Sequence, residues 1–139
     1  MRALYVEDNA MDVDLVRRTL AREEKAIDLE IATSIEQAIK ILSADSGDLF
    51  DWLLLDLNLP DGDGLDVLRF VRDKRLPIVV IALTGAGDEK TVVRALRMGV
   101  DDYVVKNHDY LQRLVATLHL ARERNKNAFI QTGGPLHVL

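Results

Sequence analysis

Hydrophobic positions along this chain fall into two patterns: short unbroken apolar runs, and longer stretches with helical spacing. The most informative run is Trp52-Leu53-Leu54-Leu55, which leads straight into Asp56 and then into a polar, glycine-punctuated loop ending at Gly64. A run that is apolar at every position predicts a strand buried on both faces (β3), with Asp56 at its carboxyl end. Residues 2–6 form a similar run (β1), which ends in Glu7-Asp8. Asn9 is placed to cap a helix over about 10–24 (α1), whose apolar face is Val13, Val16 and Leu20.

Residues 27–32 read as β2. Ser34 with Gln37, or Thr33 with Glu36, offers a capping box for α2, in which Ile35, Ala38, Ile39 and Leu42 recur at helical spacing and Gly47-Asp48 ends the unit. A third helix over about 64–73 (α3) buries Leu65, Leu68 and Val71. The β-branched run 78–83 (β4) follows Pro77 and leads into Thr84-Gly85-Ala86-Gly87. Asp88 is predicted to cap α4, with Val92, Val93 and Leu96 inward and Gly99 closing the helix. Tyr103-Val104-Val105 is a short fifth strand (β5) ending in Lys106. Asp109 is predicted to cap α5, whose buried stripe is Leu111, Leu114, Val115 and Leu118.

Five strand–helix repeats with short connections predict an α/β fold, a doubly wound parallel sheet covered by helices on both faces. Right-handed crossovers favour the flavodoxin-like strand order 2-1-3-4-5. The domain is expected over residues 1–124. The helical pattern fades there, and 125–139 reads as a tail or linker broken by Thr132-Gly133-Gly134-Pro135.

Composition narrows the class. The chain has 139 residues, 48% hydrophobic and 29% charged, an ordinary globular balance sufficient for one core. There is no cysteine, so disulfides and thiolate metal sites are excluded, and His108, His119 and His137 are scattered. A net charge of −5 argues against direct nucleic-acid binding. No apolar run is long enough for a membrane span, and acids come too early for a signal peptide. A cytoplasmic location is the expectation.

The chemistry collects at one end of the sheet. Parallel strands all point the same way, so Glu7, Asp8, Asp56, Thr84 and Lys106 share one rim. The topological switch point lies between β1 and β3, which sets Glu7, Asp8 and Asp56 side by side. Carboxylates that close need a proton or a cation, and Mg²⁺ (or Mn²⁺) suits an all-oxygen site that keeps several waters. Lys106 adds a fixed positive charge, Thr84 a hydroxyl donor, and Gly85 open space beside that hydroxyl. Such a carboxylate is a place to accept a phosphoryl group, because phosphoryl transfer asks for positioning and charge neutralisation. Asp56 is the candidate nucleophile.

The set Glu7-Asp8, Asp56, Thr84, Tyr103 and Lys106 in a (βα)5 frame resembles the receiver domain of two-component response regulators, over about residues 2–124. The resemblance implies that Asp56 is the phosphoacceptor, with a histidine kinase or histidine phosphotransfer protein as donor. Asp8 and Asp56 would bind Mg²⁺ through their side chains and Asn58 through its carbonyl. Glu7 would act mainly through metal-bound water. Thr84 and Lys106 would grip the phosphoryl oxygens, and Tyr103 would turn inward with Thr84. The domain would assist its own phosphorylation and dephosphorylation rather than act as an enzyme on a separate substrate. The signal would leave through the α4-β5-α5 face, to a protein partner or to an output domain outside this sequence. Arg94, Arg97, Asp101, Asp102 and Arg113 could pair there across a two-fold dimer. The chain departs from the family at Asn107, where proline with a cis bond is usual; a trans bond or a reshaped loop is expected.

Two rival functions remain at this level. A Mg²⁺-dependent aspartyl-phosphate hydrolase is disfavoured because Glu7-Asp8 is followed by Asn9-Ala10, not the Asp-x-Asp of haloacid dehalogenases, and no cap insertion is present. A phosphate-independent interaction module would not need the full set of rim residues. Plainer roles are expected elsewhere: Asp61 and Asp63 shape the turn with Gly62 and Gly64, His108 is a solvated loop residue, and Arg122, Glu123, Arg124 and Lys126 form a polar helix end.

Overall fold

The computed structural model describes residues 1–24, 26–44 and 50–131, with the side chains of 126–131 left aside. Its main strands are β1 (Arg2–Val6), β2 (Asp28–Ala32), β3 (Trp52–Asp56), β4 (Val79–Thr84) and β5 (Asp102–Val105). The helices are α1 (Ala10–Glu23), α2 (Ile35–Ser43), α3 (Leu65–Asp73), α4 (Glu89–Arg97) and α5 (Tyr110–Gln131). A two-residue antiparallel ribbon, Asn58–Leu59 with Gly62–Asp63, follows β3. The five strands form one parallel sheet in the order 2-1-3-4-5, as the pattern predicts.

Every residue of β3 is buried, because alternate side chains enter two separate cores. Leu53 and Leu55 join Leu4, Val6, Val80 and Ala82 against α2, α3 and α4. Trp52 and Leu54 join Tyr5, Ile81 and Leu83 against α1 and α5. The Trp52 indole keeps its polar edge satisfied by donating to the carbonyl of Leu118, at 2.9 Å.

Helix starts follow the predicted chemistry in part. Asn9 Oδ1 accepts from the N–H groups of Met11 and Asp12. Ser34 caps α2 by accepting from Gln37 N–H, but the Gln37 side chain reaches back to Thr33 rather than to Ser34. Two further N–H groups of that helix, Ile35 and Glu36, donate to Asp61 from the loop after β3. Asp61 is thus a long-range cap as well as a turn residue.

Four expectations need correction. Asp88 makes no capping bond; its carboxylate lies over Gly85 instead, 3.3 Å from where a Cβ on that glycine would stand. The start of α5 is organised by Asn107, which accepts from the N–H groups of Asp109 and Tyr110, not by Asp109. Val93 and Leu96 are 45% and 48% exposed, not inward. On this short helix Ala95 alone is fully buried, and Val92 is half-buried. Finally, α5 continues past Arg124 to Gln131, so Arg122, Glu123 and Arg124 lie within the helix rather than at its end. There Arg124 pairs with Asp102 at 2.7 Å and Arg122 stacks over Trp52. The expected breaks at Gly47-Asp48 and Thr132-Gly133-Gly134-Pro135 lie outside the described residues. Gly99 does close α4, with a φ of 97° that a side chain would resist.

Candidate functional site

Register assembles the site. Val6 pairs with Leu55, which sets Glu7 level with Asp56. Asp56 pairs with Leu83, and Thr84 with Val105, so Thr84 and Lys106 follow one step further along. The Lys106 N–H donates to the Thr84 carbonyl at 2.7 Å and extends the ladder to the lysine itself. Glu7, Asp56 and Thr84 are all buried on this rim, and Asp8 is exposed beside them.

The centre of the cluster is the Lys106 ammonium. It donates to Glu7 Oε1 at 2.7 Å, to Asp56 Oδ2 at 2.7 Å and to Asp12 Oδ2 at 3.0 Å. An ammonium has three protons, so these contacts use all of them. Burial alone would depress the lysine; its bonds to Asp56 and Glu7 outweigh that and hold it above its ordinary range. Three carboxylates around one ammonium carry a formal excess of two negative charges when all are ionised. Burial first, then its hydrogen bond with Asp56, pushes the Glu7 carboxyl up.

Glu7 is also the best anchored of the three. Oε1 accepts from the Tyr5 hydroxyl as well as from Lys106, and Oε2 from the N–H groups of Asp8 and Asn9. Asp56 Oδ1 accepts from Asn58 N–H at 2.7 Å. Behind it, Gly64 leaves no room: a Cβ there would stand 2.5 Å from the Asp56 carbonyl oxygen. Asp12 did not figure among the sequence candidates. Its signal in the sequence is an acid on the first turn of a helix that starts on this rim, one step away from the strand ends.

The Thr84 hydroxyl is buried and finds no hydrogen-bond partner among the described residues. A groove of about 510 Å³ runs from Thr84 and Gly85 past Val92, Val93 and Leu96 to Tyr103. Tyr103 is 39% exposed, on the outer side of this groove. The two residues expected to move together therefore share one cavity.

Four of the five charged residues expected to pair on the α4-β5-α5 face, Arg94, Asp101, Asp102 and Arg113, make bonds within the chain. Arg94 pairs with Asp63 at 3.0 Å, and Asp63 also caps Leu65 N–H, so the loop after Asp56 is tied to α4. Asp101 holds Arg72 and the Val80 N–H, Asp102 holds Arg124, and Arg113 bonds the Val105 carbonyl and Asn107. The peptide bond at Asn107 is trans, as expected, and its N–H donates to the Val105 carbonyl at 2.9 Å. His108 is a solvent-facing loop residue beside Asp109.

Among the described residues no three His, Cys, Asp or Glu side chains are placed to hold a metal together, and the acceptor positions of Glu7 are filled by four donors.

This fold, with this rim, defines a class of signalling domain. Residues 3–119 match the family model of the response regulator receiver domain, and the chain belongs to that family of two-component systems. Over 134 residues it is 32% identical to the transcriptional regulatory protein ResD of Bacillus subtilis, covering 96% of this chain and 53% of that protein. The cell cycle transcriptional regulator CtrA of Caulobacter vibrioides is 30% identical, over 96% of this chain and 56% of that protein. The chain thus spans about half the length of these relatives. Among solved structures, the bacteriophytochrome response regulator RtBRR superposes with a TM-score of 0.73 at 32% identity, covering 85% of this chain and 75% of that one. A CheY-like receiver domain from Methanospirillum hungatei gives 0.78 at 23% identity, over 91% and 97%, a likeness of fold.

Proposed function

We propose that the chain is a phosphorylation-controlled switch with Asp56 as phosphoacceptor. The observation that carries this reading is the Asp56–Lys106 contact at 2.7 Å, on the same rim as the buried Thr84 hydroxyl that has no partner among the described residues. The donor is a phosphohistidine on a histidine kinase or histidine phosphotransfer protein. A carboxylate oxygen of Asp56 bonds to phosphorus as the phosphorus–nitrogen bond breaks, and the imidazole leaves with the bonding pair. Lys106 and Thr84 supply donors to the phosphoryl oxygens, where charge stabilisation does most of the work. Asp8, Asp56 and the Asn58 carbonyl would hold Mg²⁺, which would neutralise charge on the transferring group.

The added negative charge draws Thr84 toward it, and Tyr103 follows into the groove that both line. The state is then read on the α4-β5-α5 face, whose exposed Val93 and Leu96 offer apolar contact. The reader is a protein partner or an output domain of the same polypeptide. A dimer through this face would have to exchange ion pairs that Arg94, Asp101 and Asp102 now make within the chain.

Intact mass spectrometry after incubation with acetyl phosphate and Mg²⁺ tests the reading. The expected result is one added phosphoryl mass, dependent on Mg²⁺ and absent from Asp56→Asn. Failure to gain that mass, together with failure to bind beryllofluoride, would overturn it.

A further inference from the structure

One residue of the site is unused by the switch described above. Asp12 lies on the first turn of α1, where an acid ordinarily does no more than favour the positive end of a helix. Here its side chain turns to the Lys106 ammonium, at 3.0 Å, and is 27% exposed. Asp14, two residues on, is 53% exposed and pairs with Arg18 of its own helix. Among the described residues Lys106 is the only donor to the Asp12 carboxylate, so its charge is balanced by an ammonium that it shares.

The same ammonium lies 2.7 Å from Asp56 Oδ2. Two oxygens that close to one nitrogen stand within about 6 Å of each other, a range in which like charges repel. Modification of Asp56 would not relieve this. The proton that Asp56 now accepts would pass to a phosphoryl oxygen, while Glu7 and Asp12 keep theirs. Asp12 would stay in place and go on drawing on the charge of Lys106. Glu7 differs, because the Tyr5 hydroxyl and the N–H groups of Asp8 and Asn9 also bear on its charge.

We propose that Asp12 is a specificity-determining residue that grades phosphoryl donors by their negative charge. The inference rests on Asp56 being the phosphoacceptor. A donor that approaches Asp56 enters the field of Asp12, and each further negative charge on the donor meets more opposition. Acetyl phosphate, a dianion at neutral pH, is opposed more than phosphoramidate, which carries one negative charge fewer. In both reactions a carboxylate oxygen of Asp56 bonds to phosphorus as the bond to the leaving group breaks. Acetate leaves with the bonding pair from the first donor, and ammonia from the second, whose nitrogen is already protonated. Asp12 forms no bond to phosphorus in either.

The test compares the rates at which the whole chain gains phosphoryl mass from the two donors, at saturating Mg²⁺ and low ionic strength. Asp12→Asn keeps an oxygen for Lys106 and drops the charge. It should react roughly tenfold faster with acetyl phosphate and about threefold faster with phosphoramidate, the scale of one charge at this distance in a partly exposed site. That shift in donor ratio should shrink in roughly 0.5 M salt. Asp12→Glu keeps the charge and should keep the parent's donor ratio. A merely structural acid would change both rates by one common factor, and that result overturns the proposal. Unchanged or slower reaction of Asp12→Asn overturns it too. If the unsubstituted protein gains no mass from either donor and binds no beryllofluoride, the phosphoacceptor reading fails and takes this inference with it, so the two failures are told apart. Circular dichroism confirms that each variant is folded before its rates are compared.

Discussion

Lys106 Nζ lies 2.7 Å from Asp56 Oδ2, a contact that closes fifty residues of chain across the rim of the sheet. The same ammonium balances Glu7 and Asp12. Removing it leaves three carboxylates without their cation in a largely buried place. Lys106→Met should lower stability by about 2–4 kcal/mol, as breaking a buried ion pair from one side does. Adding Asp56→Asn to it should recover part of the loss by removing one of the repelling charges. Urea denaturation of the two variants checks this; a single variant as stable as the parent would contradict it.

Thr84 carries a cost in the resting state. Its buried hydroxyl lacks a partner among the described residues, and Val has the same shape without the polar atom. Thr84→Val should therefore raise the melting temperature of the unphosphorylated protein by a few degrees, about 1 kcal/mol. The same change should weaken beryllofluoride binding roughly tenfold, since a charge-assisted donor is lost. Calorimetric melting and titration on one preparation separate the two effects. A variant that melts lower would show that the hydroxyl is satisfied.

Asp61 provides a pH signature away from Asp56. The N–H groups of Ile35, most strongly, and Glu36 hold its carboxyl below the usual 3.8. A folded-state pKa below the unfolded one gives stability that is present above about pH 3.8 and is lost as pH falls through the folded value. Asp61→Ala should be less stable than the parent at pH 7, and the gap should narrow as pH drops below that point. A gap of constant size across this range would rule out the charge as its source.

Asn107 stands where proline is usual in the family, and here proline should not be tolerated freely. Asn107 donates its N–H to the Val105 carbonyl and accepts through its side chain from Asp109 N–H and Arg113. Asn107→Pro removes all three bonds. A loss of about 2 kcal/mol is expected from thermal or urea unfolding. Unchanged stability would mean that the loop re-forms around the ring.

The strands and their order were legible because β1, β3 and β4 are apolar runs bounded by turn residues, and a parallel sheet buries such runs on both faces. The rim residues were legible for the same reason, since each follows the last apolar residue of a strand. What escaped the sequence lay on helices and in long-range bonds. Asp12 belongs to a helix turn, and its meeting with Lys106 depends on how α1 packs on the sheet. Val93 and Leu96 have helical spacing but face solvent, because periodicity marks a stripe without saying what covers it. Asp61 and Asp88 exchanged roles as caps: local spacing favoured Asp88, while loop geometry brought Asp61 onto a helix far away in the chain. The extension of α5 to Gln131 has no apolar stripe to announce it.

That extension changes what a small event at the rim can do. Tyr110 is the first of the 22 residues of α5, and at 1.5 Å per residue the helix is about 33 Å long. Further along that rod, Arg124 is tied to Asp102 at the start of the edge strand β5. A tilt of ~5° about the Tyr110 end would carry Gln131 sideways by ~3 Å, from the rod length alone. One continuous helix therefore runs from the rim that carries Lys106 to beyond the start of β5.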